Sequence, residues 1–298
     1  MANRPLVHLI DGPVYVFRAY HSMPPMRAPD GTPTHAAYGF ANTLIKYLAE
    51  TEATHAAVAF DRSDTSFRTE LEPGYKAQRG ETPEDLAPQF EICARVVAAL
   101  GVAVFERESY EADDLLATLA EQLVRGGAAV RIVTTDKDLA QVVREDGRVV
   151  TYDLARDTLR DADGVREKFG VDPEQIPDFL GLVGDVVDNL PGVPGVGPKG
   201  ASAALRAFGQ IEHIPGDSLE WEDVEVRGSR RLAALISEHR ERALRTRRLA
   251  TVCREVPGTS ADLADLAYRG ADPTVVQTLF QELGWQRIAD RIPRWAQS

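Results

Sequence analysis

Three short apolar runs each end in aspartate, with helical patterns between them, and few folds accommodate that arrangement. LVHLI (6–10) leads into Asp11, HAAVAF (55–60) into Asp61, and AVRIVTT (129–135) into Asp136 and then Asp138. VAVF (102–105) and RVVTY (148–152) read as two further strands. Helical periodicity runs through THAAYGFANTLIKYLAE (34–50), where Ala37, Phe40, Ala41, Leu44, Ile45 and Leu48 form a stripe. It returns in PEDLAPQFEICARVVAAL (83–100) and in SYEADDLLATLAEQL (109–123). Alternation of this kind predicts an α/β fold, a mostly parallel central sheet flanked by helices on both faces. From about Asp172 the pattern turns helical, broken by LPGVPGVGPKG (190–200). Two domains are therefore expected, α/β over 1–172 and helical over 173–298.

Ligands of open parallel sheets bind beyond the carboxyl ends of the strands. Asp11, Asp61, Asp136 and Asp138 should thus converge at one edge. Asp136 and Asp138 point the same way if their strand persists, although Asp138 also suits the cap of a helix LAQVV. Glu111, Asp113 and Asp114 crowd the start of a helix, and Asp185 and Asp188 in GDVVDN share a helix face at three-residue spacing. Each piece has a plainer meaning. First-turn acids complement the helix dipole, Asp-Gly is commonly a turn, and GDVVDN alone fits a solvated face. Capping does not explain aspartates at three strand ends, so the conjunction favours a metal site. If the helix began at Glu111, Glu111 and Asp114 would share a face and Asp113 would point elsewhere. The helix should then start later, or one of the three, Asp114 by preference, should stand behind the ligands.

Nine ionised carboxylates cannot share a site without cations. Hard oxygen donors without a His/Cys cluster select Mg²⁺ or Mn²⁺ over zinc. Two such ions about 4 Å apart would clamp the attacking water and leaving oxygen of a phosphodiester. The net charge of −12 argues against nucleic acid at first sight, but removing these nine acids leaves about −3. Arg62, Arg68, Lys76 and Arg79 alternate with Phe67 and Tyr75, a mixture suited to single strands. Eight arginines lie between Arg227 and Arg248, against Glu238 and Glu241, and read as a second phosphate track. Arg18 follows the first strand closely enough to reach the acidic edge. In LPGVPGVGPKGASAALRAF, Gly192, Gly195 and Gly197 precede a helix whose N-terminus, with Lys199, suits a phosphate. This spacing resembles a helix-hairpin-helix. Cys93 and Cys253, far apart, suit reduced thiols. The N-terminal apolar run is too short for a signal peptide and no run suits a membrane span, so a cytoplasmic protein is expected.

Seven motifs in order, IDGPVYVFRAYH, AAYGFANTLIKYL, AFDRSDTSFR, GYKAQRGETPEDL, YEADDLLATLA, TTDKDLAQVV and GDVVDNLPGVPGVGPKGA, resemble the 5′ nuclease (flap endonuclease) family over most of the chain. The resemblance is strongest to the 5′–3′ exonuclease domain type of bacterial DNA polymerase I. It implies a PIN-like core and a structure-specific nuclease that trims 5′ ends or flaps in replication and repair. It places Asp11, Asp61, Glu111, Asp113 and Asp114 around one ion, and Asp136, Asp138, Asp185 and Asp188 around another. It makes 62–82 a helical arch for the 5′ strand, with Lys76 and Arg79 on phosphates and Arg68 and Tyr75 as DNA contacts. It sets K⁺ at the hairpin that holds duplex. Implied partners are branched, gapped, 5′-ended or RNA-primed DNA, acted on by a monomer in the bacterial cytosol alongside a polymerase and a ligase. Pro13 and Val14 depart from the polar residues usual after DG, which would alter contacts behind the metal. Gly200 replaces a small hydroxyl residue, which would loosen the hairpin helix. The end at Ser298 leaves no room for a polymerase domain and suits a free-standing nuclease or an isolated domain, with the WAQS ending favouring the former.

The expected chemistry is in-line attack of a metal-activated water, leaving a 5′-phosphate, with Lys76, Arg79 and Arg18 stabilising transition-state charge. An aspartyl-phosphate phosphatase would need Asp-x-Asp where the chain has Asp11-Gly12-Pro13. A module that binds branched DNA without cutting would be expected to lack Asp136, Asp138, Asp185 and Asp188.

Overall fold

The computed structural model describes residues 4–63 and 65–297. Six strands form the main sheet: β1 (Leu6–Asp11), β2 (His55–Ala59), β3 (Ala103–Phe105), β4 (Ala129–Val133), β5 (Val149–Asp153) and β6 (Thr158–Arg160). Their spatial order is β3-β2-β1-β4-β5-β6. The first five are parallel; β6 is a short antiparallel edge strand on β5, too brief to show a period in the sequence. Strands leave β1 in one direction through β2 and β3, then in the other through β4 and β5. β1 and β4 thus flank a topological switch point, where such sheets open a crevice.

The helices are α1 (Gly12–Ser22), α2 (His35–Thr51), α3 (Phe67–Leu71), α4 (Ala87–Ala99), α5 (Ala112–Arg125), α6 (Ala162–Phe169), α7 (Ile176–Val183), α8 (Pro198–Phe208), α9 (Ser229–Glu238), α10 (Arg240–Ala250) and α11 (Pro273–Glu282). The strand pleat sorts side chains between two layers. Val7 and Leu9 of β1 join the α5 cluster, while Ile10 joins the cluster of α1, α2 and α4. α1 starts directly at Gly12, where the sequence showed only an Asp-Gly pair. A Cβ at Gly12 would lie 2.4 Å from the Phe60 ring and 2.7 Å from the Ala59 carbonyl oxygen, so only glycine lets the chain turn there.

A third cluster gathers α6 to α10 around Trp221 and Leu205, giving the second half its own core. The expected helical region does not run to the end of the chain. Val252, Val256 and Leu266 return to the α5 layer, and α11 with Trp285 and Ile288 packs into the α2–α4 layer. Ala56 N donates to Leu266 O, and Asp272 N to Ala99 O, which ties this return to β2 and to the end of α4. Periodicity shows the α11 stripe of Val276, Leu279, Phe280 and Leu283, but not which layer it meets. No helix among the described residues is long and apolar enough to cross a membrane.

Candidate metal centre

Asp11 ends β1 and caps α1. Its Oδ1 accepts from Val14 N at 3.4 Å, and its Oδ2 from the Thr134 hydroxyl at 2.6 Å. Because the contact from Val14 is a backbone one, the departures at Pro13 and Val14 leave it intact. Thr134, unmarked by any acidic pattern, also accepts from Asp136 N at 2.9 Å, so a single hydroxyl joins the ends of β1 and β4. Burial, then the Asp136 and Asp61 carboxylates, push the Asp11 carboxyl up to about 7 against the Thr134 hydrogen bond. Asp61 follows β2 and accepts from Ala112 N, the first amide of α5, at 2.7 Å. Burial and the Glu111 charge raise it to about 6.

The acids at the head of α5 part company. The helix starts at Ala112, with Glu111 as its cap. Asp113 is close enough to the Asp136 and Asp11 carboxylates that burial and their like charges drive it well above the usual carboxylate range. Asp114 faces away and is fully buried. Its Oδ2 and Oδ1 accept from Arg68 Nη1 and Nη2, both at 2.8 Å, and it also takes Glu111 N at 3.1 Å and Cys253 N at 2.7 Å. Four donors occupy both oxygens, so Asp114 stands behind the ligands rather than among them. The same pair withdraws Arg68 from its expected DNA contact. Its guanidinium is buried and also donates to Leu249 O at 2.8 Å and Thr251 O at 3.0 Å.

β4 stops at Val133, so Asp136 and Asp138 are aligned by a turn rather than by strand alternation. Asp136 accepts from Asp138 N at 2.8 Å, and Asp138 opens the 3-10 turn Asp138–Val142 rather than capping it. Burial and Asp136 hold the Asp138 carboxyl well above the usual range. GDVVDN is likewise not helical. β7 (Gly184–Asp185) and β8 (Leu190–Pro191) form a two-stranded hairpin, whose turn carries Asp188 and exposes Val186 and Val187. A Cβ on Gly192 would lie 2.3 Å from the Val183 carbonyl carbon, which explains the glycine. Asp138, Asp185 and Asp188 are all buried, each with a ligand atom within 4.8 Å of the others. Asp138 Oδ1 is buried without a hydrogen bond. An all-oxygen donor set with an unsatisfied buried carboxylate oxygen fits a hard divalent cation.

Basic groups close the other side. Lys76 Nζ lies 2.6 Å from Glu111 Oε2, and Arg79 pairs with Asp188. Burial opposes the Glu111 charge, but Lys76 and Arg68 outweigh it and hold the carboxyl below its usual range. Tyr75, expected at a DNA surface, is buried; its hydroxyl lies 3.2 Å from Glu111 and 3.3 Å from Asp188. Among its described residues the segment 62–82 is helical only at α3, since Pro73, Gly74 and Gly80 favour turns. Lys76 N donates to Asp188 O at 3.0 Å and Asn189 Nδ2 to Gly74 O at 2.7 Å, which binds the segment to the β7–β8 turn. A cavity of about 570 Å³ lies beneath it, lined by Phe17, Asp61, Lys76, Arg79 and Glu111 among others. Arg18 instead lines a different cavity of about 400 Å³ with Lys46, Tyr47 and Tyr152, where none of the nine acids contributes.

In the hairpin, Gly195 has φ +81° and Gly197 caps α8, with Lys199 exposed at its first turn. Gly200 does not loosen this helix. It is buried, and a Cβ there would lie 3.0 Å from Leu232, so glycine lets α8 settle against α9. The arginine run is divided. Arg240 donates to the carbonyls of Ile211, Glu212 and Ile214, and Arg247 pairs with Asp178 at 3.0 Å and with Glu212. Arg242, Arg245 and Arg248 are exposed on α10.

A doubly wound sheet whose switch point is lined by carboxylates from several strand ends defines a class, α/β proteins built to hold hard cations at a sheet edge. Within that class, the family described as "5′-3′ exonuclease, N-terminal resolvase-like domain" matches residues 6–170, and "5′-3′ exonuclease, C-terminal SAM fold" matches residues 171–274. The chain belongs to the 5′–3′ exonuclease family. It is 39% identical to DNA polymerase I of Bacillus caldotenax over 289 residues, covering 95% of this chain and 32% of that protein. It is 41% identical to DNA polymerase I of Pseudomonas aeruginosa over 257 residues, covering 86% of this chain and 28% of that one. The chain thus spans about a third of the length of these curated relatives. The fold is that of T5 5′-exonuclease, solved with bound zinc, at TM-score 0.66 and 20% identity over 93% of this chain and 98% of that one. The catalytic core of Rad2 in complex with a DNA substrate aligns at TM-score 0.63 and 12% identity, over 97% and 90%.

Proposed function

We propose that the protein is a metal-dependent 5′–3′ exonuclease and 5′-flap endonuclease, hydrolysing DNA and RNA-primer phosphodiesters in replication and repair. The observation that carries this reading is the meeting of carboxylates from β1, β2, α5, the β4 turn and the β7–β8 turn in one crevice, with Lys76 and Arg79 across it. Asp11, Asp61, Glu111, Asp113 and Asp136 hold one side, and Asp138, Asp185 and Asp188 the other; Asp114 supports them through Arg68. Mg²⁺ or Mn²⁺ bound there supplies an acidic water and charge stabilisation at the leaving oxygen.

The chain's own groups do the rest. Lys76 and Arg79, released from Glu111 and Asp188, bind the scissile phosphate and offset its growing charge. Gly195, Gly197 and Lys199 offer amides and an ammonium to the duplex backbone, with K⁺ at the hairpin. Arg242, Arg245 and Arg248 extend that contact without reading sequence. Arg18, in its separate cavity, is proposed to meet substrate only beyond the scissile phosphate. The protein would work as a monomer in the bacterial cytosol, beside a polymerase that displaces flaps and a ligase that seals nicks. A 5′-labelled flap substrate tests the reading. Cleavage that needs Mg²⁺ or Mn²⁺ and stops with EDTA supports it. Tight flap binding without cleavage under any divalent ion would instead make the protein a branch-binding module.

A further inference from the structure

Lys137 is the residue of the TTDKDL segment that the carboxylate pattern leaves unused. Its side chain is 33% exposed; Nζ hydrogen-bonds Asp185 Oδ2 and lies 3.7 Å from Asp138 Oδ1. Asp138 and Asp185 are two members of the trio with ligand atoms within 4.8 Å of one another. An ammonium therefore lies among the carboxylates where a hard cation would be held. In the other half the ion pairs stop at Glu111, which Lys76 and Arg68 face. Asp11 is met by a hydroxyl and an amide, and Asp61 by an amide.

We infer that Lys137 is the resident counter-cation of Asp138 and Asp185, as Arg79 is of Asp188, and that a divalent ion enters this trio by displacing the Lys137 ammonium. The inference rests on the metal reading above. The consequence is unequal loading: the half around Asp11 and Asp113 fills at low ion concentration, the trio only at higher concentration. The flexible four-carbon stem of lysine lets Nζ swing out while the turn that carries Asp136 and Asp138 stays in place. Each cation excludes the other because both are attracted to the same oxygens and repel one another at close range.

The test is a Mn²⁺ titration, reading free ion by electron paramagnetic resonance, on the wild type, Lys137→Ala and Lys137→Arg, each checked for folding by circular dichroism. Two affinity classes are expected in the wild type. Lys137→Ala should tighten the weaker class roughly 10-fold and leave the tighter one unchanged, while Lys137→Arg, which keeps the charge, should not tighten it. A second class that appears only in Lys137→Ala is the same result in stronger form. Two classes with an unchanged weaker affinity in Lys137→Ala overturn the displacement and leave the metal reading standing. No bound Mn²⁺ in any of the three proteins overturns the metal reading, and the displacement with it.

Discussion

Asp113 and Asp114 are neighbours in sequence, yet they belong to opposite kinds of electrostatic environment. Asp114 lies in a closed pocket where Arg68 matches it bidentately and two backbone amides complete its shell. Asp113 looks into a crevice where burial and the like charges of Asp136 and Asp11 oppose its ionisation. One carboxylate is neutralised by the protein's own cation and stabilises the fold. The other meets like charges instead, and under the proposed function it is left to a cation from outside. Arg68, in α3, also reaches the carbonyls of Leu249 and Thr251 after α10. The locked pair therefore ties the base of the 62–82 segment to both the α/β core and the helical region.

The largest effect should come from breaking the lock. Asp114→Ala takes the bidentate partner from the buried Arg68 guanidinium and leaves it only the more distant Glu111, which should cost about 3–5 kcal/mol in urea unfolding. Arg68→Met combined with Asp114→Leu should recover much of that, because neither charge then remains buried. Recovery no better than the single variant would show that the carbonyl contacts of Arg68, not the ion pair, hold the pocket.

Asp113→Asn should do the reverse. Metal-dependent cleavage of a 5′-flap should fall about 100-fold or more, with a melting temperature at least equal to that of the wild type. A large loss of stability would place Asp113 with Asp114 and erase the contrast.

A smaller effect concerns Asp11. Burial pushes its folded carboxyl up to about 7 from the usual aspartate value of 3.8, so the folded chain binds the proton more tightly than the unfolded chain does. This contribution to metal-free stability is full at low pH and is lost as pH rises through 7. Asp11→Asn should therefore be more stable than the wild type at pH 8 in EDTA, by more than at pH 5, and Mg²⁺ should shrink the difference. Thermal melts of both proteins at pH 5 and pH 8 check the sign.

The basic residues offer the mildest version of the same contrast. Arg247 is engaged by Asp178 and Glu212 while Arg248 is exposed. Arg247→Ala should lower stability by about 1 kcal/mol. Arg248→Ala should leave stability unchanged and weaken duplex binding in EDTA, lowering the salt slope by about one unit. Equal losses of binding from both variants would mean that pairing within the fold does not remove an arginine from the DNA face.

How far the sequence carries depends on whether a property is local. Five strands and the α2, α4 and α5 helices were legible, because a burial period of two or 3.6 residues is written into consecutive positions. The convergence of Asp11, Asp61 and Asp136 was legible too, since parallel strands bring their carboxyl ends to one edge. The helix at Gly12 was hidden behind an Asp-Gly pair that more often marks a turn. The β7–β8 hairpin was hidden because Asp185 and Asp188 fit a helix face as well as a turn.

By itself, the sequence determined the α/β alternation, the acidic strand ends and the family to which they belong, because each is a pattern along the chain. Only the tertiary structure decided which acids face the crevice and which are locked away. It also decided which arginines are engaged within the fold, and that the segment from Val252 to Ile292 folds back onto the first core. The reason is physical. A carboxylate's role depends on the charges within a few ångströms of it, and those come from residues such as Arg68, Lys137 and Thr134 that only folding brings alongside.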